Sequence, residues 1–211
     1  MATMTEHTNE HPSPAQVRRG RRTALLLFAI GFGPMILATV MFYTGWLTPD
    51  GYTNNGTLID PVVPVAELNL LGADGEPLTA RFASDQKDEP SWLLIVAAAN
   101  CDSGCETLLH NARQVNVALG KNANRVRRAA YLQQTSPALD KRWDQEYPLM
   151  ERLTSGPVKA PVWPAGVNLE EAPQILLVDP FGNVMMRYPV DQSGKPMLED
   201  LKHLLKLSQL G

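Results

Sequence analysis

An α/β domain behind a single membrane-spanning helix is the fold class predicted for this 211-residue chain. Three observations predict it. Residues 24–47 carry no charged side chain and are almost wholly apolar. Residues 92–99, Trp-Leu-Leu-Ile-Val-Ala-Ala-Ala, form a second uninterrupted apolar run, of the length and kind expected for a strand buried on both faces. The chain's only two cysteines, Cys101 and Cys105, follow at once and open a segment with helical spacing. Two cysteines cannot make a multi-disulfide framework or a four-thiolate zinc site, so a stapled mini-protein and a zinc ribbon are excluded.

The formal charge of −3 conceals three different pieces. Residues 1–22 are polar, contain proline and have no apolar period, which predicts a disordered tail with His7 and His11 as solvated side chains. Residues 23–47 are predicted to span the membrane, because the 24 residues from Ala24 to Leu47 reach about 36 Å as a helix against a hydrocarbon core of roughly 30 Å. The run outlasts the apolar region of a cleaved signal peptide and ends in Trp46-Leu47-Thr48-Pro49 rather than in small residues. Gly31, Gly33 and Pro34 predict a kink, and Tyr43 and Trp46 suit the headgroup level at one end. Arg18, Arg19, Arg21 and Arg22 precede the span, so the N-terminus is expected in the cytoplasm of a bacterial inner-membrane protein and the rest in the oxidising periplasm. The lipid bilayer is thus one expected partner. The remainder has 15 basic and 20 acidic side chains, and no nucleic-acid partner is expected.

Residues 48–64, rich in Pro, Gly and Asn, read as a tether that also packs on the domain, which then covers residues 65–211. Asn55-Gly56-Thr57 matches a glycosylation sequon, a frequent chance match. Loose alternation around the turn signal Ala73-Asp74-Gly75-Glu76 predicts a hairpin at 65–82, and the apolar run above is the next strand. Behind the cysteines, Leu108, Leu109, Ala112, Val115 and Leu119 keep helical spacing up to Gly120. A strand is predicted at 126–132, a helix at 138–153, two strands at 174–188 around Asp179-Pro180-Phe181-Gly182, and an amphipathic helix at 196–210. Strand, cysteine pair, helix, strand, helix, hairpin, helix is the order of a thioredoxin-like fold.

In that setting Cys101 and Cys105 carry the expected chemistry. A cysteine at a helix N-terminus faces free N–H groups and the positive end of the macrodipole, which favour the thiolate that attacks disulfides and binds soft metals such as Cu(I). Cys101 is expected to be the exposed nucleophile and Cys105 its partner one turn further in. The blander alternative is an inert stabilising disulfide or a pair of buried thiols.

The cysteine motif Cys101-Asp-Ser-Gly-Cys105 before a helix, the Asp179-Pro180-Phe181-Gly182 hairpin and the anchor ahead of the domain resemble the Sco/SenC family. Asn54-Asn55-Gly56-Thr57-Leu58-Ile59, Arg113-Gln114 and Leu119-Gly120-Lys121 resemble more closely a proteobacterial group of Sco-like transmembrane proteins, usually found with cytochrome oxidase assembly genes. The resemblance implies a membrane-tethered thioredoxin-like protein that assists assembly of the cytochrome c oxidase copper site, as a thiol reductase or a copper chaperone. Its implied partner is an oxidase subunit or another copper chaperone. Its metal, if any, is copper on Cys101 and Cys105.

Two departures qualify that implication. The family's third copper ligand is a histidine whose counterpart here falls at about Glu171, a carboxylate and a poor Cu(I) ligand. His110 and His203 read as surface residues, while Met185 and Met186 read as core packing. Pro173 stands where thioredoxins keep a cis-proline beside the cysteine pair. As a cis residue it would present a backbone edge to a bound substrate; the alternative is an ordinary trans proline ahead of a strand. Three functions stay open: dithiol–disulfide exchange through Cys101 and Cys105, Cu(I) carriage by the same two sulfurs, and a silent assembly scaffold.

Overall fold

The computed structural model describes residues 14–45, 53–82 and 91–208. His7, His11, Trp46 and the start of the tether lie outside them. The chain divides into two units, Met1–Tyr52 and Thr53–Gly211. The first contains α1, Pro14–Thr44, with mean hydropathy 2.3 over its best 18 residues. It begins earlier than expected. Residues 14–22, assigned to a disordered tail, are helical because Pro14 suits a first helical position and Ala15, Gln16 and the arginines are good helix formers. The helix runs through Pro34, and Thr39 donates to the Met35 carbonyl one turn back at 2.8 Å.

The second unit is a seven-stranded mixed sheet in the order β1-β7-β6-β3-β4-β5-β2. Its strands are β1 (Thr57–Pro64), β2 (Leu70–Leu71), β3 (Trp92–Asn100), β4 (Val126–Gln134), β5 (Met150–Ser155), β6 (Gln174–Val178) and β7 (Asn183–Tyr188). Its helices are α2 (Ser103–Ala118), α3 (Pro137–Glu146) and α4 (Lys195–Leu207). The central β3 pairs parallel with β4 and antiparallel with β6, and is buried from Trp92 through Ala99, as its composition predicts. Alternate residues serve different layers. Leu94, Val96 and Ala98 join a core with buried residues of α2, α3 and α4. Leu93, Ile95 and Ala97 join a second core, closed by Val65, Leu68 and Leu78 from short helical turns and by Val167 and Leu169 from a loop.

Three expectations need correction. The tether is not a tether throughout: Thr57–Pro64 is an edge strand antiparallel to β7, where its two prolines are tolerated because an edge strand can leave N–H positions unpaired. The hairpin at 65–82 is reduced to a single bridge between Leu71 and Pro77 flanked by short helical turns, and β2 pairs instead with β5. The helix predicted at 138–153 stops at Glu146, and Met150–Ser155 is a strand parallel to β4. Pro148 cannot continue the helix, and pairing with β4 then overrides the i, i+3 spacing of Met150 and Leu153.

The Asn-Asn-Gly stretch ahead of β1 has a structural use. Asp200 of α4, only 4% exposed, accepts hydrogen bonds from Asn55 N (2.9 Å), Asn55 Nδ2 (2.9 Å), Gly56 N (2.8 Å) and Tyr188 Oη (3.0 Å). A Cβ on Gly56 would overlap the Tyr188 ring, so the close approach requires glycine there. Burial, and after it the Asp200 charge, push the Tyr188 hydroxyl far above its ordinary pKa and keep it a donor. Asn55 of the sequon is thus held by side-chain and backbone bonds to α4.

Candidate functional site

The strand-to-helix junction is built by three local features. The buried β3 delivers the chain to Asn100 at the carboxyl end of the sheet, and Cys101 N donates to Gln134 O at the end of β4 (3.0 Å), pinning the loop. Asp102 is the N-cap of α2: its Oδ1 accepts from Gly104 N (2.9 Å) and Cys105 N (3.0 Å), and its carbonyl takes the Glu106 N–H at 2.9 Å. Pro173 and Val190 flank the start of the helix: a Cβ on Gly104 would lie 3.5 Å from Pro173 Cγ and 3.6 Å from Val190 Cγ2, at ordinary contact distance.

Cys101 and Cys105 are joined in a disulfide, with Cα atoms 4.9 Å apart. Cys105 is fully buried among Leu108, Leu109 and the other residues of the helix-side core, whereas Cys101 is half-buried at its margin. An incoming thiolate therefore meets Cys101 first, because disulfide exchange needs access to the attacked sulfur.

Asp102 is the site residue the sequence reading passed over, although an aspartate just ahead of a periodic run is an N-cap signal. Its role carries a prediction. Asp102→Ala leaves two helix N–H groups without their acceptor and is expected to cost about 1 kcal/mol of stability. Thermal unfolding of the variant should show that loss and Asp102→Asn should recover most of it; an unchanged melting curve for the alanine variant would contradict the assignment.

The remaining site candidates are more scattered. Pro173 lies beside the junction, close to Gly104, but the one cis bond among the described residues is Asp60–Pro61, so the Ala172–Pro173 bond is trans. The cis alternative for Pro173 is thereby corrected. Glu171 is exposed in the turn ahead of Pro173, its N–H donating to Asn168 O at 3.3 Å. Among the described residues no three His, Cys, Asp or Glu side chains gather as a metal site, so Glu171 does not complete one with the cysteines. His110 and His203 are exposed. Met185 is half-buried, and Met186 is buried with its Sδ 3.2 Å from the Tyr188 hydroxyl oxygen. Copper, read as cargo, would find two sulfurs after reduction of the disulfide and, among the described residues, no third His, Cys, Asp or Glu side chain gathered with them.

The neighbourhood of α2 is further tied by ion pairs. Arg142 of α3 meets Glu106 in the first turn of α2 at 2.9 Å, and the hydrogen bond and charge of Glu106 raise the Arg142 pKa. Arg152 of β5 stacks over the Trp143 ring at 4.3 Å and pairs with Asp140 at 2.9 Å. These contacts lock α3 to α2 and to the sheet beside the cysteine loop.

Residues 92–208 match a family described as the transmembrane-like, thioredoxin-like C-terminal domain, and residues 14–45 match the transmembrane-like N-terminal domain. Among solved structures the chain is similar to yeast Sco1, with 16% identity, TM-score 0.50, and 75% of this chain covering 98% of that one. It is similar to apo Sco1 from Thermus thermophilus (16% identity, TM-score 0.48, 74% of this chain and 99% of that chain). It is also similar to copper-bound ScoI of Bradyrhizobium japonicum (18% identity, TM-score 0.42, 70% and 98%). No curated protein sequence matches the chain.

Proposed function

Because the chain belongs to the family of transmembrane-like proteins with a thioredoxin-like C-terminal domain, anchored by a single N-terminal helix, we propose that it is a membrane-bound thiol–disulfide exchange protein acting through Cys101 and Cys105. The observation that carries this reading is the disulfide itself, set between a buried strand and a capped helix with one sulfur accessible and the other enclosed. In the reducing direction the Cys101 thiolate attacks a partner's disulfide. A Cys101–partner bond forms, the partner's S–S bond breaks, and the released partner thiolate takes a proton from water. The Cys105 thiolate then attacks Cys101, closing the intramolecular disulfide and releasing the second partner thiolate. The partner gains two electrons, the pair loses two, and a dithiol donor must restore the reduced pair.

Arg18, Arg19, Arg21 and Arg22, in the part of α1 that precedes its uncharged stretch, support placing the N-terminus in the cytoplasm and the domain in the periplasm of a bacterial inner-membrane protein. The resemblance of the cysteine motif and hairpin to Sco/SenC proteins supports a role in cytochrome c oxidase copper-site assembly, with an oxidase subunit or another copper chaperone as the partner. Cu(I) carriage by the same sulfurs is the second reading, favoured by the accessibility of Cys101 and by the softness of paired thiolates. A scaffold role that uses neither chemistry is the third.

Titration of the reduced full-length protein with Cu(I) in detergent separates carriage from the other two readings. Exchange predicts no tight one-to-one complex and no difference between wild type and Cys101→Ser. A tight one-to-one complex that Cys101→Ser abolishes would replace exchange with carriage.

A further inference from the structure

One face of α1 joins a concentration of positive charge to an apolar groove. From Pro14 to Thr44 the helix holds four arginines and no acidic residue, and none of its residues is buried. Arg18, Arg19 and Arg22 line a single recess at its start with Pro14 and Ala15, while Arg21 lies outside it. Positions 18 and 22 are one turn apart and 19 stands beside 22, so the three side chains leave the helix within about 6 Å of one another along the axis. Like charges gathered without a counter-charge on their own helix repel one another, and an anion from outside relieves that repulsion.

One to two turns further on, the same face becomes apolar. Leu25, Ala29, Gly33 and Val40 continue the stripe of Arg18 and Arg22, because steps of seven and four residues return to one side of a helix. Phe28 and Phe32, stacked with ring centroids 5.5 Å apart, form one wall of the groove. Ala29 and Gly33 form its floor, where a Cβ on Gly33 would meet nothing within 4 Å. From Leu25 to Gly33 the helix rises about 12 Å, close to one leaflet of a hydrocarbon core of roughly 30 Å. A basic recess above an apolar groove of that length suits one molecule with an anionic head and an acyl chain.

A second copy of the helix is the other occupant that small residues admit. Copies inserted in the same direction would pack parallel on this face and set Arg18 and Arg22 against their own counterparts, a like-charge contact. A lipid phosphate meets the same arginines with opposite charge. We propose that this face of α1 binds one anionic phospholipid, its phosphate held by Arg18, Arg19 and Arg22 and an acyl chain laid over Ala29 and Gly33 against Phe28 and Phe32. Guanidinium groups suit the phosphate because they pair with it through two parallel hydrogen bonds. The inference rests on α1 being the membrane anchor and is independent of the exchange chemistry of Cys101 and Cys105.

The test is native mass spectrometry of the full-length protein in detergent, titrated with phosphatidylglycerol or, as the neutral control, phosphatidylcholine. Phosphatidylglycerol should be retained at one per chain, with an apparent affinity at least about tenfold above that for phosphatidylcholine. Replacing Arg18, Arg19 and Arg22 together by glutamine should abolish that preference, whereas Arg21→Gln should keep it. Gly33→Leu keeps every charge and fills the groove floor, so a several-fold weaker phosphatidylglycerol complex in this variant separates a built site from diffuse attraction to positive charge. The melting curve of the second unit checks that each variant is folded. The proposal is overturned if the two lipids bind equally, if the triple variant keeps the preference, or if Gly33→Leu binds phosphatidylglycerol as wild type does. It is equally overturned if Gly33→Leu instead dissociates a dimer that holds no lipid, the outcome expected of a second copy.

Discussion

Cys105→Ser is expected to accumulate a mixed disulfide between Cys101 and the partner, while Cys101→Ser accumulates none and loses exchange altogether. The asymmetry follows from burial. Cys105 is enclosed in the core among Leu108, Leu109 and Ala112, so an incoming or departing sulfur reaches the pair through Cys101 alone. Removing Cys105 leaves attack intact and removes the intramolecular step that releases the partner, so the covalent intermediate persists. Removing Cys101 leaves a thiol with no approach path. Non-reducing electrophoresis of membranes from cells making each variant reads the difference. Equal trapping by the two variants, or trapping through Cys105 alone, would contradict the assignment of roles.

Asp200→Ala is expected to destabilise the second unit by about 3–5 kcal/mol. The carboxylate satisfies two backbone N–H groups, the Asn55 amide and the Tyr188 hydroxyl, all within 3.0 Å. Truncation leaves them without that acceptor, and the Gly56 N–H and the Tyr188 hydroxyl are buried where water does not replace it. For a domain of this size the loss corresponds to a melting temperature lower by roughly 10 °C. It also frees the chain just ahead of β1, so amide exchange along Thr57–Pro64 should accelerate more than along β3. Circular dichroism melts and hydrogen exchange check both. A variant within about 1 kcal/mol of wild type would show that Asp200 is not the clamp described.

The parts of this fold legible in the sequence are those whose signal is local. β3 is a run of eight apolar residues, α2 has five apolar positions at helical spacing behind an aspartate cap, and the β6–β7 hairpin is announced by Asp-Pro-Phe-Gly. β5 was not legible, because Met150-Glu-Arg-Leu-Thr-Ser has no strand alternation and becomes a strand by pairing with β4. β1 was hidden by its prolines, which suit an edge as well as a tether. The site divides the same way. The cysteine pair announced itself by position, whereas the Asp200 clamp joins groups 144 residues apart that no spacing connects.

The central claim, that Cys101 and Cys105 cycle rather than staple the fold, is tested most directly by the reduction potential of the pair. Full-length protein equilibrated in graded glutathione or dithiol buffers should convert reversibly, in one two-electron step, at a potential above about −300 mV, within the range of exchange proteins. A disulfide that stays oxidised well below that value, or opens only when the domain unfolds, would make it structural and contradict the account.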